Sequence, residues 1–389
     1  MIRSSEYTFF ALFCFVLIFF ASACKTSRNE QIYLPGELDS KNFKGLPGEI
    51  AFAFAGDIMM WDRMKAHIAK RGVNYPFEAT AALLQSADYA VGNLECPIAV
   101  KSKKDPRKGF YYKVPPFTLE GLKWAGFDMM SLANNHIRDC GADGLMETFE
   151  FLDKASLSYF GAGKNPADAM KPKAVEVKGL KTAFVGFVSD EIYLYDIKQF
   201  KKPGKFEKLK NKLFTDLAAT DDMPGTVIAN EKTVREMVAR AKERADFVIV
   251  VPHWGVRYHQ PVWENQEKLG HVAIDAGADL VIGHHNHIRQ AVEIYKGKPI
   301  VYGIGNFAFG SGNRKAVGGF LVRAIVKDKK LRRVLLYPTY TMNRSEQVDY
   351  QVKILKDKSA RKALKKIRKR SAKRGANFRI ENDVGVVDF

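Results

Sequence analysis

Five apolar runs of this 389-residue chain end alike, in a carboxylate, an asparagine or an imidazole. The endings are "AGD" at Asp57, "GNLE" at Glu95, "LANNH" at Asn134, Asn135 and His136, "VPHWG" at His253, and "GHHNH" at His284, His285 and His287. Three of the eight histidines fall within four positions of the last ending. Carboxylates, an amide oxygen and imidazoles form a hard-to-borderline donor set, suited to Mn, Fe or Zn and not to a thiolate-held structural zinc. The donors suffice for one or two divalent ions. Two ions bridged by a carboxylate make a hydrolytic device that clamps a phosphoryl or carbonyl oxygen and lowers the pKa of a bound water. Alone, an Asp after a strand is usually a turn residue or helix cap, and a lone His a structural one. Five such endings in one chain need a common explanation.

The elements that must position these residues are legible in the runs themselves. "EIAFAFAG" (49–56) is apolar almost throughout, as a strand buried on both faces is. Further strands are read in "ADYAVGNLE" (87–95), "FDMMSLANNH" (127–136), "ADFVIVVPHWG" (245–255) and "ADLVIGHHNH" (278–287). Helical stretches near 61–71, 117–126, 142–155 and 264–277 separate them. Alternating strand and helix predicts a mainly parallel α/β core, in which ligands bind at the carboxyl ends of strands. The five endings are thereby expected to converge. "KPIVYGIGNFAF" and "GGFLVRAIVKDKKLRRVLLYP" read as strands and turns closing a second sheet. Residues 195–226 break the alternation with seven lysines and read as a basic insertion, either a solvated loop or a cover over the cleft that meets an anionic polymer.

The formal net charge is +19, and Lys353–Arg374 alone holds 12 Lys or Arg against one Asp. Residues 346–389 are therefore read as a basic C-terminal tail. Ala360, Ala363, Leu364 and Ile367 fall on a narrow helical face, so the segment could lie on an anionic membrane surface or meet a polyanion. Nucleic acid is not an expected partner, because no module that binds it is present. At the other end, Arg3 precedes the apolar run Phe9–Ala21 and then "SAC". Thirteen apolar residues fall short of a membrane span, which points to a signal peptide over 1–24. Small residues before Cys24 resemble a bacterial lipobox, making Cys24 the expected lipidation site; an uncleaved anchor and plain secretion are the alternatives. A polar linker (25–47) follows. Cys96 and Cys140 remain, and two buried thiols are the expected state over a disulfide.

The motifs "GDIMMW", "GNLECP", "ANNHIRDCG", "HWGVRY", "GHHNHIRQ" and "GNFAF", in that order over about residues 50–340, resemble those of the CapA family. These are poly-γ-glutamate capsule biosynthesis proteins of the calcineurin-like metallophosphoesterase superfamily. The resemblance implies a four-layer α/β/β/α sandwich of the metallophosphoesterase type over residues 48–345. It implies that Asp57 and His287 hold a first ion, Glu95 bridges, and Asn135, His253 and His285 hold a second. His136 would serve as the acid, its tautomer fixed by Asp139 or a backbone carbonyl. Asn134 and Asn306 would shape the site by hydrogen bonding. His284 is expected to face away, since His285 and His287 alternate onto one side of an extended segment. Three positions depart from the superfamily or family pattern. Met59, usual for the CapA branch, stands where the wider superfamily has a histidine, leaving the first ion one nitrogen donor poorer. Arg257 replaces a common Glu, either favouring an anionic substrate or lying solvated at the surface, and Asn286 replaces a common Pro.

The function implied is an exported, lipid-anchored protein of the bacterial cell envelope. It would act in synthesis or export of poly-γ-glutamate or a similar anionic polymer, alongside membrane proteins of a capsule-synthesis complex. An envelope hydrolase of phosphoester or amide bonds unrelated to polyglutamate, and a metal-free polymer-binding scaffold, are the competing readings.

Overall fold

The computed structural model describes residues 31–34, 36–37, 46–106, 108, 111–193, 205–313, 315–316, 318–341, 343 and 348–389. The expected signal peptide, Cys24, most of the linker and the 195–204 part of the insertion lie outside these residues. No helix among the described residues is long and apolar enough to cross a membrane.

Two sheets face each other. The first runs, from edge to edge, Phe378–Glu381, Val384–Asp388, Lys330–Tyr340, Phe320–Lys327, Ile50–Met59, Tyr89–Leu94, Met129–Ser131, Ser158–Phe160. Its last four strands are parallel to one another, and Asn306–Phe309 pairs in parallel with the end of Ile50–Met59. The second runs Val292–Tyr295, Lys298–Val301, Leu280–Ile282, Phe247–His253, Leu180–Ser189, Lys173–Val177, parallel through its four central strands.

Strand alternation divides the apolar side chains between three cores. In "FVIVV", Phe247, Ile249 and Val251 point between the sheets to meet Phe52, Phe54 and Val91, while Val248 and Val250 point outward. That is the period-two geometry of a strand buried on both faces. The outward set packs on Val234, Met237 and Val238 of the helix Glu231–Lys242 and on Leu269 and Ala273 of Glu264–Asp275. On the far side of the first sheet, Ala53, Ala55 and Met130 pack on Leu119 and Leu122 of Thr118–Ala125 and on Leu145 and Leu152 of Gly141–Lys154. The result is the expected four-layer α/β/β/α sandwich.

Four segments differ from expectation. "KPIVYGIGNFAF" serves both sheets: Lys298–Val301 joins the second, whereas Asn306–Phe309 crosses to the first. The hairpin Phe320–Tyr340 extends the first sheet antiparallel to Ile50–Met59, and closes no part of the second. Part of the insertion is packed, not loose: Lys205–Leu217 is a helix whose Leu213 and Leu217 are buried against Ala133, Val188, Ile192 and Tyr193. The C-terminal segment is no tail. The helix Asp357–Ala372 buries Ala360, Leu364 and Ile367, and the hairpin Phe378–Asp388 completes an edge of the first sheet. Its apolar stripe is taken up by the core, so it is not available to lie in a membrane. Periodicity identified the stripe; only the long-range contacts identify what covers it.

Candidate metal centre

The parallel strands Ile50–Met59, Tyr89–Leu94 and Met129–Ser131 of one sheet, and Phe247–His253 and Leu280–Ile282 of the other, carry all five polar endings. Asp57 lies across from Asn93 on one side and Asn306 on the other. Gly56 makes the second pairing possible, because a Cβ there would sit 1.9 Å from the carbonyl oxygen of Gly305. Gly283 does the same before the histidines: its Cβ would lie 2.1 Å from the Tyr302 oxygen.

After Ile282 the chain does not stay extended. His284 bridges to His253, and the next residues bend, with His285 at φ +87° and His287 at φ +57°. Left-handed backbone at non-glycine residues costs about 1–3 kcal/mol each and collects at functional sites. The expected alternation therefore fails, and His284 is not a bystander: its Nδ1 lies 3.0 Å from Asp57 Oδ1. All three imidazoles turn inward.

The expected residues are brought together. Glu95 Oε1 is 3.7 Å from His253 Nε2 and 3.9 Å from His287 Nε2. His287 Nδ1 lies 3.1 Å from Asp57 Oδ2 and 2.8 Å from Asn306 Oδ1. His253 Nε2 is 2.7 Å from Asn135 Oδ1 and 3.1 Å from His285 Nδ1. Two donor groups result, Asp57–Glu95–His287 and Glu95–His253–His285, each with its ligand atoms within 4.8 Å of one another. Glu95 belongs to both. Asn134 donates to Asn93 Oδ1 and to the Leu94 carbonyl, and its Oδ1 accepts the His136 N–H.

Asp57, Glu95 and His285 are fully buried, and His253 nearly so. Burial alone would raise the Asp57 carboxyl, but hydrogen bonds from His284 and His287 outweigh it and hold it well below the usual carboxylate range. Glu95 goes the other way: burial and the neighbouring Asp57 charge push it well above, opposed by Arg257. Burial depresses His253 and His285 far below ordinary imidazoles, and His285 is depressed further by His253. Neutral imidazoles with available lone pairs are what a cation requires. Neither oxygen of Glu95 meets a hydrogen-bond donor. Buried carboxylate oxygens without donors are costly, and ligand atoms sharing one ion stand about 3–4 Å apart. The residues thus fit the binding of divalent metal.

Beside the donors, His136 Nδ1 donates to Asp139 Oδ2 at 2.6 Å. Asp139 also accepts from the Tyr112 N–H at 2.8 Å and lies 3.1 Å from Lys108 Nζ. The Tyr112 ring packs on His136 at 4.5 Å between centroids. Burial lowers His136, against the opposing pull of Asp139. Arg257 is half-buried, with its Nε shielded from solvent and its charge felt by both Glu95 and His285. Met59 is fully buried, and Cys96 and Cys140 are buried free thiols.

Sequence reasoning missed Asn93 and Lys108. Asn93 donates to Asp57 Oδ1 at 2.8 Å and approaches His253 Nδ1 at 3.4 Å. It had a signal, lying two residues before Glu95 and so on the same face of the strand end. Lys108, in an irregular loop, had none.

The profile of the bacterial capsule synthesis protein family PGA_cap matches residues 51–311, the stretch that carries every residue of this centre. The chain belongs to that family. It is 30% identical over 287 residues to the "Capsule biosynthesis protein CapA" of Bacillus anthracis, covering 72% of this chain and 64% of that one. Against the "PGA biosynthesis protein CapA" of Bacillus subtilis strain 168, identity is 29% over 291 residues, covering 74% and 71%. The match thus spans somewhat less than two thirds of the Bacillus anthracis relative. Among solved structures, a hypothetical protein from Thermus thermophilus aligns over 74% of this chain and 98% of its own, with a TM-score of 0.44 and 15% identity.

Proposed function

We propose that this PGA_cap protein acts at the bacterial cell envelope, on poly-γ-glutamate or a similar anionic polymer during its synthesis or export, through a two-ion centre. The observation that carries the reading is Glu95, a buried carboxylate shared by two donor groups and without a donor on either oxygen. Asp57 and His287 would hold one ion, and Asn135, His253 and His285 the other, with Glu95 between them. Such ions supply Lewis acidity and an activated water. Asp139 fixes the Nδ1–H tautomer of His136, leaving Nε2 to exchange a proton with the leaving group. Arg257 favours an anionic substrate. Asn93, Asn134, Asn306 and His284 hold the ligands in place, as outer-shell hydrogen bonds do in metal sites. The anchor is assigned to lipidation at Cys24, and the partners to membrane proteins of the polymer-synthesis machinery.

Deletion of the gene in its own host, followed by complementation, tests this. Wild type restores surface polymer, whereas Glu95→Gln, although present at wild-type level, does not. Full restoration by Glu95→Gln would overturn the catalytic reading in favour of a scaffold.

A further inference from the structure

The helix Asp357–Ala372 turns its apolar stripe into the core and leaves a rigid cationic ridge outside. Arg361, Lys365, Lys369 and Lys373 recur every fourth position and are exposed, and Lys358, Lys362 and Lys366 form a second exposed row. Like charges four apart destabilise a helix, and none of these seven is ion-paired among the described residues. The ion pairs of this region belong instead to Lys353, Lys356 and Arg374. Beside the ridge lies a cleft of about 600 Å³, lined by Lys365, Arg368 and Lys369 from the helix and by Ala376, Asn377 and Phe378 beyond it. The helix is held firmly: Ser371 Oγ accepts the Val292 N–H at 2.9 Å, and Arg374 clamps Glu267 and Glu293.

We infer that this ridge and its cleft are a docking track for a linear polycarboxylate, the polymer of the proposed function, on which reading the inference rests. Cations repeating about every 6 Å along a fixed axis match a chain bearing one carboxylate per residue, and binding is driven by release of its counterions. An anionic bilayer fits less well. A helix that lies on a membrane inserts its apolar face, and here that face is Ala360, Leu364 and Ile367, buried in the protein.

Binding of fluorescent poly-γ-glutamate to the detergent-solubilised full chain, followed by anisotropy across a salt series, tests the track. The variant Arg361→Gln/Lys365→Gln/Lys369→Gln/Lys373→Gln is expected to bind about tenfold or more weakly, with a shallower salt dependence. Its melting temperature and metal content should match or exceed wild type, which excludes misfolding. Equal polymer binding by the fourfold variant would overturn the track while leaving the proposed function standing. A variant that lost phosphatidylserine-vesicle binding but kept the polymer would assign the ridge to the membrane. Absence of polymer binding by wild type would overturn both readings.

Discussion

At the scale of single residues, the centre is built by opposing two desolvated carboxylates and surrounding them with imidazoles, of which burial pushes His253 and His285 well below the usual imidazole range. Which residue types take part was legible, because Asp57, Glu95, Asn135, His253 and the histidine cluster all end apolar runs. How they point was not. His285 and His287 occupy left-handed backbone, and His284 reaches Asp57, because the bend is imposed by the bridge to His253 on a different strand. No local periodicity encodes that. Under the proposed function His136 and Asp139 handle a proton while the donor groups hold ions, and substitution should separate them. His136→Ala, and more mildly Asp139→Asn, should leave the bound ions in place while lowering turnover of a chromogenic phosphoester or of polymer by about 10²–10⁴. Metal analysis beside the rate measurement checks this; loss of metal in His136→Ala would make that residue a ligand.

At the scale of elements, strands and flanking helices were readable from period-two and helical patterning, although the strands are shorter than the runs that signalled them: Phe247–His253 within 245–255 and Leu280–Ile282 within 278–287. The failures were segments whose partners are distant in sequence: the hairpin Phe320–Tyr340, the packed part of the insertion and the C-terminal helix. Leu364 is fully buried in the core between the sheets, so Leu364→Ala should cost about 2–5 kcal/mol in a denaturant titration. A cost near zero would return this helix to the status of a loose tail. A second element-level contact is pH-dependent. Glu147, on the helix Gly141–Lys154, accepts the backbone N–H groups of Val100, Lys101 and Ser102 at 2.7, 3.0 and 2.6 Å, and also the Ser102 hydroxyl. Partial burial would raise its carboxyl, but these bonds prevail and lower it from 4.5 to about 2. A depressed carboxylate contributes stability above its unfolded pKa and loses it as pH falls through the folded one. The stability advantage of wild type over Glu147→Gln should accordingly be full above about pH 4.5 and vanish towards pH 2. An advantage that persists unchanged into that acid range would mean Glu147 acts by packing and not by charge.

At the scale of the whole molecule, two sheets bring their strand ends to one place, and each supplies part of each donor group: Asp57 and Glu95 from the first, His253, His285 and His287 from the second. Neither sheet could hold an ion pair alone, so binding should couple to their packing. The cationic excess is concentrated on the C-terminal helix, outside this centre; under the proposed function that would divide holding a polymer from acting on it. Everything rests on Glu95 belonging to both groups. The direct test is the number of Mn or Zn ions bound per chain by equilibrium dialysis of wild type and Glu95→Ala. Two ions per wild-type chain, with neither site retaining its affinity in Glu95→Ala, is the predicted result. Failure of the wild-type chain to bind either metal, or two ions held equally well without Glu95, would contradict the account.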